Sequence, residues 1–168
     1  VTLATRPEIS VRAAVAADAH TLAALSIQVW LSTYTEGVSD LLARHVMSEF
    51  TPQKFLALAE APDVSLQVAL ADERLIGYAF VRYGVRQPLV PGADSELCTL
   101  YVQEPFTRSG VGSALLHAAS ADNGKLWLTV NAQNLRARRF YEKHGFVVKG
   151  TSWFVLGAGR HENLVLGR

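Results

Sequence analysis

The apolar positions of this chain change their spacing several times, and each change predicts an element. Ile9 to Arg12 predicts a short opening strand. Leu22, Leu25 and Val29 then recur at i, i+3 and i+7, one face of a helix. Asp18 stands ahead of them as an N-cap whose carboxylate suits the positive end of the helix dipole. Leu41, Leu42 and Val46 predict a second short helix. Thr51-Pro52 places a cap before a proline at the first helical position, opening a third helix that carries Phe55, Leu56 and Leu58. Past Ala61-Pro62-Asp63 the period falls to two. Val64, Leu66, Val68 and Leu70 alternate with Ser65, Gln67 and Ala69, the pattern of a strand. The polar turn Asp72-Glu73-Arg74 joins it as a hairpin to a second strand, Leu75 to Tyr83.

Gln87 to Asp94 is rich in turn residues and predicts a surface loop. Ser95 to Val102 predicts a third long strand with one irregularity, since Leu97 and Leu100 lie three apart. A β-bulge near Cys98-Thr99 would bring both onto one face; a strand buried on both faces would accept them as they stand. Beyond it, Val111, Ala114, Leu115 and Ala118 form a helical stripe closed by Asn123-Gly124. Leu126, Leu128 and Val130 make another strand. Ala137, Phe140 and Tyr141 make a helical stripe running from Asn134, the N-cap, to Gly145 beyond its C-terminus. Phe146 to Phe154 and His161 to Leu166 are the closing strands, with Leu156-Gly157-Ala158-Gly159-Arg160 as a hairpin turn or the flank of a pocket. Strands and helices mixed in this order give an α/β (α+β) sheet fold.

Composition narrows the class. The 168 residues are 49% hydrophobic and 18% charged, enough for one core without staples. Neither a repeat nor a Gly/Ser/Pro linker divides them, so a single domain over residues 1–168 is expected. Sixteen Lys and Arg against fifteen Asp and Glu leave a charge of +1, without the basic excess of a nucleic-acid binder. The one cysteine, Cys98, excludes a disulfide framework and reads as a small apolar strand residue rather than a nucleophile. The five histidines show no i, i+4 pair, so no metal site is expected. The longest apolar run, about Leu75 to Val81, is too short for a membrane span, and Glu8, Arg12 and Asp18 interrupt any signal-peptide core. A cytoplasmic location without membrane or nucleic-acid partners is the expectation.

The segment from Leu100 to Leu116 is the sharpest chemical feature. A strand feeds a turn, Arg108-Ser109-Gly110-Val111-Gly112-Ser113, and a helix begins at once. That order aims unbonded N–H groups and the positive end of the helix dipole at one point, where a phosphate or pyrophosphate fits without a lysine. A turn that merely starts a helix would show the same two glycines. A P-loop requires Gly-Lys-Ser/Thr, and Gly112 is followed by Ser113-Ala114; a dinucleotide fingerprint requires a third glycine where Leu115 stands.

Here the chain resembles the GNAT acetyltransferase superfamily. The cofactor turn of that family, Arg/Gln-x-x-Gly-x-Gly/Ala, reads Thr107-Arg108-Ser109-Gly110-Val111-Gly112, with Thr107 where Arg or Gln is usual. Glu96 to Val102 is similar to the family's fourth strand, and Asn134 to Phe146 to its Asn-x-x-Ala-x-x-Phe-Tyr-x-Lys-x-Gly-Phe helix. The resemblance implies a mixed, mostly antiparallel sheet with splayed middle strands and helices on both faces, its cofactor-binding core at about 95–146. It implies acetyl-CoA as cosubstrate, lying where the third long strand and the strand beginning near Lys125 part. Leu100, Tyr101 and Val102 would pair with the pantetheine arm, a freed N–H near Leu100 would polarise the thioester carbonyl, and Arg108 to Ser113 would hold the pyrophosphate. Asn134 would hold the pantetheine or thioester end, and Arg138 or Lys143 would meet the 3′-phosphate.

Tyr141 occupies the position of the family's general acid; its periodicity alone also fits a core aromatic. Glu96 is the candidate base, directly or through water, and a solvated strand-end carboxylate is the bland alternative. Trp30 and Tyr34 are partly core and border the expected acceptor pocket, near Glu36 and Asp40, which could attract a cation. The implied activity is N-acetylation of a primary amine, on a small molecule or peptide, by direct attack in a ternary complex. A CoA-binding regulatory module without turnover and an acyltransferase for longer acyl-CoA are the alternatives. Homodimers are common in the family, and the sequence leaves that state open.

Overall fold

The computed structural model describes residues 6–120 and 125–168. Seven strands form one sheet in the order β1-β2-β3-β4-β5-β7-β6. They are β1 (Ile9–Ala13), β2 (Val64–Ala71), β3 (Arg74–Tyr83), β4 (Ser95–Val102), β5 (Leu126–Asn131), β6 (Val147–Leu156) and β7 (Gly159–Gly167). The helices are α1 (Ala19–Ser32), α2 (Asp40–Glu49), α3 (Pro52–Glu60), α4 (Val111–Ser120) and α5 (Leu135–Lys143). The closing pair Asn123-Gly124 expected for α4 lies outside the described residues. Pairing is antiparallel for β1/β2, β5/β7 and β6/β7, and parallel for β4/β5. That parallel register comprises two pairs, Ser95 with Leu126 and Glu96 with Trp127, whereas β5 pairs with β7 over five. The expected splay of the middle strands is this short ladder.

The chain divides into two compact units, with β3 and β4 contributing to both. In the first (Val1–Phe80 and Thr99–Ala119), Leu22, Leu25, Phe55, Leu66, Val68 and Tyr78 form the core. The Tyr78 hydroxyl shares a 2.7 Å hydrogen bond with Ser26, and Phe55 meets the Tyr78 ring edge-on. Neighbouring Gly77 points the other way, toward Leu115 of α4, because successive strand residues alternate faces. Helices therefore cover both faces of this unit's strands. Thr51 caps α3 as its sequence predicts, accepting from the Lys54 N–H. Asp18 does not cap α1. Its carboxylate turns back to accept from the Val15 N–H at 2.8 Å and pairs with Arg12 at 2.8 Å, which holds its pKa below the usual carboxylate range. The α4 stripe is also rotated from the expected one: Val111, Leu115, Leu116 and Ala119 are buried, while Ala114 is exposed.

In the second unit (Val81–Cys98 and Ser120–Arg168), the Gln87–Asp94 segment is more than a surface loop. Val90 and Ala93 are buried against Trp127 and Val165, and the Trp127 indole donates to the Val85 carbonyl at 2.7 Å. Val90 presses so closely on Gly167 that no side chain would fit there. Asn134 caps α5, accepting from the Ala137 N–H at 3.1 Å, and Gly145 (φ +86°) ends it in the left-handed conformation. The β6–β7 hairpin closes on Gly157-Ala158.

Candidate functional site

The first unit holds the turn. After β4, the Gln103 N–H donates to the Ile76 carbonyl at 2.8 Å, and a short 3-10 turn, Glu104–Phe106, redirects the chain. Thr107, standing where the motif usually has Arg or Gln, clasps that turn through its hydroxyl to the Glu104 carbonyl at 2.8 Å. The Ser109 hydroxyl does the same to the Phe106 carbonyl. Arg108 (φ +64°) and Gly110 (φ +87°) are both left-handed, a conformation costing a side-chain-bearing residue about 1–2 kcal/mol. The first helical bond of α4 runs from the Ala114 N–H to the Gly110 carbonyl at 3.0 Å. The amides of Val111 and Gly112 therefore precede the ladder and point forward from the helix start. Arg108, Ser109 and Gly110 are exposed, Ser113 is half-buried in the first turn of α4, and nothing lies within 4 Å of where a Gly110 side chain would begin. An exposed run of main chain at a helix start, with open space before it, fits a diphosphate.

Leu100, Tyr101 and Val102 are half-buried on β4. The Tyr101 ring meets Tyr78 edge-on at 5.6 Å, and burial pushes its hydroxyl up to about 12, partly offset by a hydrogen bond with Trp30. Trp30 is itself half-buried, 4.7 Å from the His45 ring, 5.9 Å from stacked Tyr34 and 6.2 Å from Phe50. Trp30 and Tyr34 thus belong to one aromatic cluster, and sequence reasoning missed Phe50 and, of more chemical interest, His45. No local spacing signals it, because α2 delivers it from another element.

The second unit holds Glu96, Cys98 and Tyr141. Glu96 and Cys98 lie two apart on β4, half-buried, with the Cys98 thiol donating to the Glu96 carbonyl at 3.7 Å. Burial raises the Glu96 pKa above its ordinary value, against the opposing pull of the Cys98 hydrogen bond and the Arg82 charge. Burial, reinforced by the Glu96 charge, pushes the Cys98 thiol up to about 12, which removes it as a nucleophile near neutrality. Arg82 on β3 is the charge sequence reasoning missed; only strand pairing brings it beside β4. Tyr141 is buried, its ring edge-on to Phe140 at 5.3 Å and Phe146 at 5.5 Å. Asn134 spends its carbonyl oxygen on the α5 cap. Arg138 donates to the Ala132 carbonyl at 2.8 Å, which ties down the turn before α5, whereas Lys143 is exposed in the last helical turn. Among the described residues no group of three or more His, Cys, Asp or Glu is placed to hold a metal ion, and no helix is long and apolar enough to cross a membrane.

The strand–turn–helix segment and the short parallel β4/β5 ladder are features that the sequence resemblance implies, and comparison with known proteins identifies the family. Residues 27–146 match the Acetyltransferase (GNAT) family. A Mycobacterium tuberculosis protein, Uncharacterized N-acetyltransferase Rv2669, is 35% identical over 152 residues, covering 87% of this chain and 93% of that protein. The fold is similar to PaiA N-acetyltransferase from Thermoplasma acidophilum in complex with coenzyme A (TM-score 0.77, 23% identity, 96% of this chain and 98% of that one). It is also similar to Arabidopsis thaliana NAA60 in complex with acetyl-CoA (TM-score 0.74, 14% identity, 96% and 98%). The chain belongs to the GNAT acetyltransferase family, and its class is that of an acyltransferase enzyme.

Proposed function

We propose that this enzyme transfers the acetyl group of acetyl-CoA to a primary amine of a small molecule or peptide, by direct attack in a ternary complex, with residues 1–168 acting as one acetyltransferase domain. The observation that supports the reading is the exposed, partly left-handed turn at Arg108–Gly110 followed by the leading amides of α4, an arrangement suited to an anion. Acetyl-CoA supplies an activated thioester; the chain supplies grip, orientation and proton traffic. Amides from Ser109 to Ser113 hold the pyrophosphate with the help of Arg108, and Arg138 or Lys143 meets the 3′-phosphate. Main chain at Leu100, Tyr101 and Val102 pairs with the pantetheine arm, and the N–H near Leu100 polarises the thioester carbonyl, a donor commonly worth about 3 kcal/mol of barrier.

An amine acceptor arrives protonated, because an ordinary alkylammonium has a pKa near about 10.4. Glu96 takes that proton. A carboxylate whose burial raises its affinity for protons is a stronger base than a solvated one, as long as it remains ionised at the working pH. Tyr141 gives its phenolic proton to the departing thiolate, and its aromatic neighbours fix the ring while it does so. Asn134 orients the pantetheine through the amide end not engaged by the cap. Trp30 and Tyr34 line the acceptor side.

The test is an acetyl-transfer screen across amine classes, read as free CoA thiol, with Tyr141→Phe as control. Turnover with one class, lost in the variant, is the expected result. Acetyl-CoA that binds but is transferred to no amine across a broad panel would replace this reading with a regulatory CoA-binding module. Competition by longer acyl chains would redirect it to another acyl donor.

A further inference from the structure

Gly77 lies in the middle of β3, buried between Ile76 and Tyr78, which are 2% and 1% exposed. It is not one of the left-handed glycines, so its backbone conformation does not require glycine. Space does. A methyl group there would lie 2.6 Å from the Tyr101 carbonyl oxygen, 3.3 Å from the Val102 Cα and 3.2 Å from the Leu115 Cδ1. Non-bonded heavy atoms prefer separations of about 3.5–4.0 Å, so something would have to move.

The neighbours are poorly placed to yield. Tyr101 is held by its edge-on contact with Tyr78 and its hydrogen bond with Trp30, and Tyr78 is held by Ser26. Leu115 is fully buried one turn into α4, the helix whose leading amides complete the anion turn. On one side of Gly77, then, stands the main chain assigned to the pantetheine arm; on the other stands the helix assigned to the diphosphate.

We infer that Gly77 is a positioning residue: its missing side chain sets the Tyr101–Val102 main chain against α4 so that one coenzyme engages both at once. This rests on the acetyl-CoA reading above. A ligand that bridges two subsites gains from the link only while both can be engaged together, and loses that gain when their spacing changes. A spacing defect therefore weakens the whole coenzyme more than it weakens a fragment confined to one subsite.

The experiment compares the parent protein with Gly77→Ala by calorimetry, using CoA and its fragment 3′-phosphoadenosine 5′-diphosphate. CoA should bind roughly tenfold more weakly to the variant, and the fragment less than about twofold more weakly. In steady-state assays the KM for acetyl-CoA should rise while kcat at saturation changes little. Should Gly77→Ala fail to fold, Gly77→Ala/Leu115→Val, in which the Cδ1 contact is gone, makes the same comparison against Leu115→Val. Equal losses for both ligands, or none for either, would overturn the inference. A parent protein that binds no CoA would instead overturn the coenzyme reading on which it rests.

Discussion

The turn at Thr107–Gly112 and the group formed by Glu96, Cys98 and Arg82 are built on opposite plans. In the turn the groups on offer are main-chain amides, set by two left-handed residues, two hydroxyl clasps and a helix start. Its side chains are mostly exposed and do local bonding. In the strand pair the groups on offer are side chains delivered by β3 and β4, and burial raises the proton affinities of Glu96 and Cys98. Thr107, where the motif usually has Arg or Gln, contributes a hydroxyl clasp to the Glu104 carbonyl and leaves the amides that follow in place.

The contrast predicts a split between affinity and turnover. Tyr141→Phe, which keeps the ring contacts with Phe140 and Phe146, should lower kcat about a hundredfold with CoA affinity unchanged within about twofold. Equal loss of affinity, measured by calorimetry, would erase the split.

Glu96→Gln should lower turnover at neutral pH about tenfold or more and abolish the acidic limb of the pH–rate profile. That limb should lie above the ordinary carboxylate value of 4.5, because burial raises the Glu96 pKa and a base works only when ionised. The same shift has a stability consequence. A raised folded value means that the protonated form favours the fold, a contribution present at low pH and lost as pH rises through the raised value. Glu96→Gln should therefore raise Tm at neutral pH and change it little in acid. A pH–rate profile identical to the parent's would remove Glu96 from the mechanism.

Changes in the turn should show the reverse behaviour. Gly110→Ala meets no steric obstacle but forces alanine to a φ of +87°, so CoA affinity should fall roughly tenfold with little change in kcat at saturation. The smallest effect belongs to Arg108→Gly, which relieves the left-handed strain and should raise Tm slightly. It should weaken CoA binding less than about threefold and make the remaining binding less sensitive to salt. A larger loss than that of Gly110→Ala would make this a side-chain site after all.

These two plans also explain what the sequence disclosed. The strand–turn–helix order and the glycines of the turn are consecutive in the chain, so their geometry was legible directly. The Asn134 cap, the Gly145 stop and the strand alternation at Val64–Leu70 were legible for the same reason. Arg82 beside Glu96, His45 against Trp30 and Val90 against Gly167 are encounters between distant segments, and no local period encodes them. Asp18 shows a subtler limit. Its position suits a cap, but Arg12 and the Val15 amide compete for its carboxylate and win. The α4 stripe was misread because alanines fit either face, and Leu115 and Leu116 together rotate the buried side.

Hydrogen exchange of individual backbone amides, with and without saturating CoA, tests the main-chain site most directly. The amides from Ser109 to Gly112 should exchange markedly more slowly in the presence of CoA, with that protection diminished in Gly110→Ala at matched CoA concentration. Saturable heat of CoA binding with those amides exchanging at their free rates, and protection arising in another segment, would contradict the account.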